Sequence, residues 1–425
     1  MHFKAKFWLQ FSLLNLLIVA LLGLLMRYKI GFEFPFLNQK NLQHSHSHFA
    51  FAGWISHTLM VLMVGFLEKR GPSPEASGAL RVTKKGQGLR IALYNKMLTA
   101  NLICAYGMLV FFIIQGYAAL SIAFSTASIF VAYLFGYQFW NDLKQVSQEW
   151  LSVNWFKAAI FFNVISSLGT FFLAFMMITK NIHQNEYLAS IYYYLHFQYN
   201  GWFFFACMGL LFHFFDLKAT AHPYLKKAFW QLFIACIPAY FLSTLWLNLP
   251  VWMYILTVLA ALFQSYAWFK LLAVLAKIRK GYFDNYPFFL RYIILFVAIA
   301  CSLKLLLQLG STIPALSQLA FGFRPIVIAY LHLVLLAVIS LFLLFYMYVN
   351  HYFYISKPIK FGIILFSVGV FLNELVLAVQ GIASFSYTII PRVNELLFGV
   401  AVLLVSGIAI TTYHSIKKVK IPPVL

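Results

Sequence analysis

Histidines lie near the start of three separate apolar segments, and neutral imidazole is a common ligand for haem iron and copper. His46 and His48 belong to the motif His-Ser-His-Ser-His at positions 44–48, which opens the second segment. His196 lies near the start of the sixth segment, and His332 lies in the tenth. A polar residue inside a membrane is costly unless it has a partner or a function. Three histidines at matched depth therefore favour a shared haem or metal site.

Helical geometry separates the histidines of this motif. Residues i and i+4 share a helix face, so His44 and His48 point one way while His46 points nearly the opposite way. We prefer His48, the deepest, as the ligand, with His46 second and His44 as an interfacial polar residue. His57 lies roughly 16 Å deeper than His46, which predicts a hydrogen bond to a neighbouring helix. For any single histidine, such a hydrogen bond is the competing interpretation.

Other charged side chains lie at the same predicted depth. Lys304 is late in the ninth segment, Glu374 is late in the eleventh, and Arg392 and Glu395 open the twelfth. Two interpretations stay open for this polar cluster. The pairs Lys304–Glu374 or Arg392–Glu395 would offset the cost of burial, or the cluster would form a proton relay with cations that anchor haem propionates. Arg324, about two turns outward of the tenth-segment histidine, is also placed to meet a propionate.

The elements that position these residues are membrane-spanning helices. The chain is 63% hydrophobic and only 10% charged, whereas a soluble domain carries about a quarter charged residues, so a soluble multidomain enzyme is excluded. Twelve apolar runs approach the length of about 20 residues that spans a bilayer, and backbone amides in lipid must pair within helices. The runs cover about 7–27, 47–67, 93–115, 118–140, 155–178, 190–213, 228–248, 251–274, 288–309, 325–349, 359–381 and 391–414. The sequence predicts an all-α bundle of about 12 transmembrane helices that forms one integral membrane domain, residues 1–425.

Basic loops predict the orientation of this bundle. Lysines and arginines follow the second, sixth and eighth segments and occur in the tail, so they share one side if both termini are cytoplasmic. The stretch at about 68–92 is then a cytoplasmic loop. Basic loops also account for the formal net charge of +21 without a nucleic-acid partner. Helical spans predict the inner, cytoplasmic membrane of a bacterium, because outer-membrane proteins are typically barrels.

Two smaller features complete this organisation. The first segment follows Lys4 and Lys6, but no small-residue cleavage site comes after it, so we interpret it as a true span and not as a signal peptide. The four cysteines lie in apolar runs and form no CxxC pair, which predicts small core residues. They are Cys104, Cys207, Cys236 and Cys301.

Twelve spans with histidines on the second, sixth and tenth resemble subunit I of the haem–copper oxidase superfamily. The segment 46–49, His-Ser-His-Phe, looks like the family's second-helix histidine segment, and the spacing from His46 to Gly53 is also similar to the His-Ala-His segment of the NnrS haem- and copper-associated membrane proteins. Pro391-Arg392 loosely resembles the family's propionate-binding arginine segment. The resemblance implies a low-spin haem b held by His48, or by His46, together with His332.

The sequence departs from the family at the oxygen-reducing centre. The family's tenth-helix His-x-His is Tyr330-Leu331-His332 here, and the seventh segment, 228–248, contains no histidine. The high-spin haem ligand and the paired copper ligands are thus missing, and only His196 remains of the copper site. A working binuclear centre is not expected, so copper is doubtful and oxidase turnover is not predicted.

Three functional hypotheses follow from these residues. The first is an oxidase-subunit-I-like protein that binds haem b by two histidines and acts in electron transfer or in the response to nitric oxide or dioxygen, with an electron-donor or partner subunit. The second is a proton-coupled secondary transporter that uses Lys304, Glu374 and Glu395 as coupling groups. The third is an assembly subunit that shows neither haem nor transport. In each case the bilayer is the main partner.

Overall fold

The computed structural model describes residues 2–71, 89–317 and 323–417, and long helices dominate these ranges. No β-strand forms within them, apart from one isolated bridge between Trp150 and Lys218. The prediction of an all-α fold is confirmed. The long helices are α1 (Ala5–Gly31), α2 (Gln39–Arg70), α3 (Ile91–Gln115), α4 (Ala119–Leu143), α5 (Leu151–Ile178), α6 (184–214), α7 (Pro223–Cys236), α8 (Val251–Ile278), α9 (Phe288–Gly310), α10 (Arg324–Val349), α11 (Lys357–Phe385) and α12 (Val393–Ile416).

Ten of these described helices are long and apolar enough to cross a membrane. An eleventh crossing is formed if α7 and the 3₁₀ segment Pro238–Thr244, which meet at a bend of 44°, count as one broken span. The helix α6 lies where the sixth span was predicted but is not among the ten, and it carries Gln198 and Asn200 near its middle. The chain is thus a multi-pass helical membrane protein.

Local sequence signals set several helix ends. The Asn38 side chain accepts hydrogen bonds from the backbone N–H groups of Lys40 and Asn41 and so caps α2. Proline occupies the first turn of α7, α10 and α11, where its missing N–H group leaves no hydrogen bond unmade. Gly116 ends α3 with φ at 62°, a conformation that glycine adopts without steric cost.

The centre of the bundle is formed by α2, α6 and the inner half of α10. In the most apolar stretch of α2, 89% of the residues are buried inside the protein, against 17% for α4 at the periphery. Most buried apolar side chains form one cluster that extends from Phe3 to Ile408, and a small second cluster consists of Ala239, Leu242, Ala260 and Ala261. All four cysteines are buried and free, as the sequence predicted.

The first and last helices are neighbours. The Thr412 hydroxyl donates to the backbone carbonyl of Leu13 at 3.3 Å, which places the start of α1 beside the end of α12. The same end of α12 is tied to α10, because the hydroxyls of Tyr348 and Ser415 lie 2.7 Å apart. Both ends of the helical bundle therefore lie on one face.

The predicted cytoplasmic loop at about 68–92 lies mostly outside the described residues. At its edges, residues 68–70 belong to the last turn of α2, and α3 begins at Ile91.

Candidate functional site

Three helical segments with π-type hydrogen bonding lie next to the predicted ligand histidines. In α2 the π segment is Ala50–Ser56, which begins two residues after His48. In α6 it is Phe197–Phe203, directly after His196, and in α10 it is Leu333–Ser340, directly after His332. A π turn widens the helix and changes the direction of the side chains that follow, and such turns are frequent at functional sites.

Tryptophan indoles connect these irregular segments. The Trp54 Nε1–H group donates to the Ser340 hydroxyl at 2.9 Å and joins the π segments of α2 and α10. The Trp202 Nε1–H group donates to the Ser56 hydroxyl at 3.2 Å and joins α6 to α2. Both indoles are fully buried. The three central helices are thus locked together just inward of their histidines.

Backbone carbonyls of the α2 π segment accept hydrogen bonds from buried side-chain amides on neighbouring helices. Asn15 of α1 donates to the Gly53 carbonyl at 2.6 Å, and Asn101 of α3 donates to the Ala52 carbonyl at 3.2 Å. The Tyr106 hydroxyl donates in turn to Asn15 at 2.7 Å. Without these donors the carbonyls would be left unpaired inside the bundle, which is costly in an apolar surrounding.

The structure brings His46 and His332 together from different helices. Their half-buried imidazoles lie close enough for a charge on one ring to act on the other. His332 Nδ1 lies 2.9 Å from the Ile328 carbonyl, so in the neutral ring Nδ1 carries the proton and Nε2 keeps its lone pair. His46 lies beside the Val19 carbonyl of α1, and its buried Nδ1 has no hydrogen-bond partner.

The outer half of α10 is less buried than its inner half. None of the residues of Arg324–His332 is buried, whereas every residue of Leu341–Val349 in the same helix is. Above the histidines, Arg324 Nη2 donates to Gln43 Oε1 of α2 at 3.1 Å. Below them lies the Trp54–Ser340 hydrogen bond. These two contacts join α2 to α10 on either side of the histidines, at positions of α2 that are roughly 16 Å apart.

Two arginines lie in the outer part of the helices that surround this pair of histidines. Arg324 is exposed, about two turns before His332 in the same helix. Arg27, near the end of α1, lies close enough to His332 for its charge to act on the imidazole. Sequence reasoning missed Arg27, although a cation at the end of an apolar run was a usable signal.

The preferred ligand candidate, His48, faces away from His332. Its Nε2 shares a hydrogen bond of 2.9 Å with the Tyr117 hydroxyl, and its ring stacks on Phe112 at 4.3 Å between ring centres. His44 lies on this same face, with its ring 4.6 Å from that of Tyr117. The packing therefore places His46, and not His48, beside the tenth-helix histidine.

His57 pairs with a neighbouring helix, as its depth predicted. The ring is fully buried, and Nδ1 lies 3.4 Å from Asn101 Nδ2 of α3.

Both ring nitrogens of His196 are engaged. Nε2 donates to the Cys236 carbonyl at 2.9 Å, and Nδ1 accepts from Asn200 Nδ2 at 3.0 Å. A metal could bind this ring only after one of these bonds breaks. Across residues 2–71, 89–317 and 323–417, no three His, Cys, Asp or Glu side chains form a group suited to a metal ion.

The predicted ion pairs of the polar cluster do not form. Among the described residues, neither Lys304–Glu374 nor Arg392–Glu395 is within ion-pair distance. Lys304 is buried beside the cysteines of α7 and α9, while Glu374 accepts a hydrogen bond from its neighbour Asn373 at 3.1 Å. Arg392 and Glu395 are both exposed at the start of α12 and do not pair with each other.

Comparison with known proteins does not assign the chain to a family. No family model matches the chain, and no curated protein matches it.

Proposed function

We propose that this protein binds a low-spin haem b between His46 and His332 and acts in electron transfer or in the response to nitric oxide or dioxygen. One observation carries the proposal: a charge on the imidazole of His332 acts on that of His46 on another central helix, and His46 Nδ1 and His332 Nε2 have no hydrogen-bond partner among the described residues. Buried polar atoms are normally paired. His46 Nδ1 is such a buried atom without a partner, and it and His332 Nε2 are the atoms that would bind the haem iron.

The surrounding residues suit such a group in charge and orientation. The Ile328 carbonyl fixes the tautomer of His332 and leaves Nε2 as the ligand atom, which is the usual role of a second hydrogen-bond partner. Arg27 and Arg324 supply positive charge where propionates would need it. A haem held by two histidines supplies one-electron chemistry. Copper is not part of this proposal, because the ring nitrogens of His196 already have partners.

Absorption spectroscopy of the purified full-length protein tests this proposal. Protein expressed with ample haem should show, after dithionite reduction, the sharp Soret and alpha bands of a six-coordinate haem, with about one haem per chain in pyridine haemochrome analysis. His46→Ala and His332→Ala should each abolish the six-coordinate spectrum. His48→Ala, two residues from His46 on the opposite helix face, is the matched control and should keep it. Monodisperse wild-type protein without haem would overturn the proposal.

The membrane topology belongs to the same proposal. We infer twelve crossings with both termini cytoplasmic in the inner membrane of a bacterium, where an electron donor or partner subunit would dock. The placement of the ends of α1 and α12 on one face supports an even number of crossings, and the basic loops support the orientation. Cysteine accessibility at the ends of α5 and α11 would test the assignment of sides.

One feature favours the alternative of a proton-coupled transporter. The bent pair formed by α7 and Pro238–Thr244 is a broken span, as transporters often have, and Glu374 lies within α11 without an ion pair among the described residues. Proton-coupled uptake into vesicles that is lost in Glu374→Gln, by protein that carries no haem, would favour this alternative.

A further inference from the structure

A second pair of histidines lies on the face of α2 that turns away from His332. His44 and His48 occupy positions i and i+4 of Gln39–Phe49, the regular α-helical part of α2 that precedes its π segment. Residues at this spacing lie on one helix face with Cβ atoms about 5–6 Å apart. Two histidines at this spacing can therefore bind one metal ion together.

Both rings contact the same aromatic side chain in the loop after α3. The ring centre of Tyr117 lies 4.6 Å from that of His44 and 5.8 Å from that of His48. The Tyr117 hydroxyl lies 2.9 Å from His48 Nε2. An imidazole supplies a nitrogen ligand and a phenol supplies an oxygen ligand, so the three side chains bring metal-binding atoms of two kinds to one place.

One ring nitrogen of this cluster is unpaired. His44 Nε2 is buried and has no hydrogen-bond partner among the described residues. Buried polar atoms are normally paired, so this nitrogen indicates a missing partner. The nearby Tyr117 hydroxyl bonds to His48 instead.

The distance between His48 Nε2 and the Tyr117 hydroxyl oxygen suits two ligands of one metal ion. Two ligand atoms that are each about 2.0–2.1 Å from an ion lie about 2.9 Å apart when the angle at the metal is 90°, and the two atoms are 2.9 Å apart here. An ion can therefore replace the shared proton with little movement of either side chain. Because the proton leaves to solvent when the phenol binds as phenolate, binding should tighten as the pH rises.

The backbone on both sides of the cluster is held in place by hydrogen bonds. Before Tyr117, Gly116 has φ at 62°, and the Ser121 hydroxyl donates to its carbonyl. On α2, the Ser45 hydroxyl donates to the Leu109 carbonyl at 2.7 Å and fixes the helix against α3. Ligands that are positioned before binding lose little conformational freedom when the ion arrives.

We propose that His44, His48 and Tyr117 bind a divalent first-row transition-metal ion. Imidazole nitrogens suit zinc, copper and nickel, whereas magnesium and calcium prefer oxygen ligands. Tyr117 is 50% exposed, so the ion can enter from the protein surface beside the loop after α3. Three protein ligands leave at least one coordination position open for water or a small ligand.

Titration of the purified, metal-free, full-length protein with Cu²⁺ tests this proposal, because the electron paramagnetic resonance spectrum of Cu²⁺ reports its nitrogen ligands. We expect one Cu²⁺ per chain, with hyperfine splitting from two imidazole nitrogens. His44→Ala and His48→Ala should each lower the affinity about a hundredfold, and Tyr117→Phe should lower it about tenfold and remove its pH dependence. His183→Ala, which removes an exposed histidine just before α6, is the matched control and should bind as the wild type does.

The outcomes separate this site from the proposed haem, because the cluster uses the opposite face of α2 from His46. Equal Cu²⁺ affinity in the wild type, His44→Ala and His48→Ala would overturn the metal site, whatever the haem content. Binding that is lost in His46→Ala and kept in His48→Ala would also overturn it, because the ion would then lie where haem iron is proposed. Should His44→Ala or His48→Ala fail to fold, unchanged affinity and pH dependence in Tyr117→Phe would contradict the phenolate ligand.

Discussion

The indole of Trp54 and the hydroxyl of Ser340 are joined by a buried hydrogen bond of 2.9 Å across 286 positions of the chain. This bond fixes the second helix to the tenth about two turns inward of His46 and His332. Any movement of α10 relative to α2 would therefore change the separation of His46 and His332.

We predict that this bond stabilises the central helices. Trp54→Phe and Ser340→Ala should each lower the free energy of unfolding by about 1–3 kcal/mol, because each leaves a buried polar group or removes well-packed surface. A double-mutant cycle followed by thermal unfolding in detergent should give a coupling energy of about 1 kcal/mol. Additive effects would mean that the bond does not form. Ser12→Ala, which removes a hydroxyl bonded only to its own helix, is the control.

Arg27 and Arg324 should tune the reduction potential of the proposed haem. Arg27→Ala and Arg324→Ala should each lower the reduction potential, by on the order of 60 mV or less, because loss of a nearby positive charge favours the oxidised form. Potentiometric titration of the haem bands measures this shift. Lys270→Ala serves as the control, and equal potentials in all variants would contradict the assigned role of the arginines.

The contact between α11 and α12 depends on glycine. A Cβ atom on Gly407 would lie 2.5 Å from the backbone nitrogen of Phe366 and 2.8 Å from the Gly362 carbonyl, so the helices would have to separate. Gly407→Ala should therefore destabilise the protein by about 1–3 kcal/mol. Gly399→Ala in the same helix meets nothing within 4 Å and should leave the unfolding temperature unchanged. Equal behaviour of the two variants in a thermal scan would contradict this packing.

The face of α2 that carries His48 contacts the loop after α3. Substitutions there should therefore change the stability of the protein and not the proposed haem ligand. Tyr117→Phe removes the partner of His48 Nε2 and should lower the free energy of unfolding by about 1 kcal/mol. The haem spectrum should stay the same, because His46 lies on the other face. A lost or shifted alpha band in Tyr117→Phe would indicate that His48 is the ligand after all.

The sequence was sufficient to predict the helices but not their rotation about their own axes. Apolar runs locate the spans because bilayer thickness and backbone pairing leave few other structures. The helical period correctly separated His46 from His48, yet both faces of the motif carry polar side chains. Which face turns towards α10 depends on packing against α1 and α3, which no local pattern encodes. The depth of His57 was informative because a buried imidazole needs a partner wherever it points.

The rotation of the helices, which the sequence does not predict, also explains why the predicted ion pairs of the polar cluster do not form. Lys304 and Glu374 are complementary in charge and similar in depth, but α9 and α11 are rotated so that they do not meet. The π segments were also not predicted, and in α2 the backbone carbonyls of the segment are paired by donors from other helices, Asn15 and Asn101. Arg27 was visible in the sequence as a cation at a span end, but its effect on His332 depends on the packing of the helices.

The contact between Leu13 and Thr412 makes the first and last helices of the bundle neighbours. Because the head of α1 and the tail of α12 meet on one face, a short engineered linker between them, with new termini opened in a peripheral loop, would give a circular permutant with every interhelical contact kept. Such a permutant would reveal whether insertion into the bilayer must begin with α1, or whether the central helices α2, α6 and α10 also assemble when the chain begins with another helix.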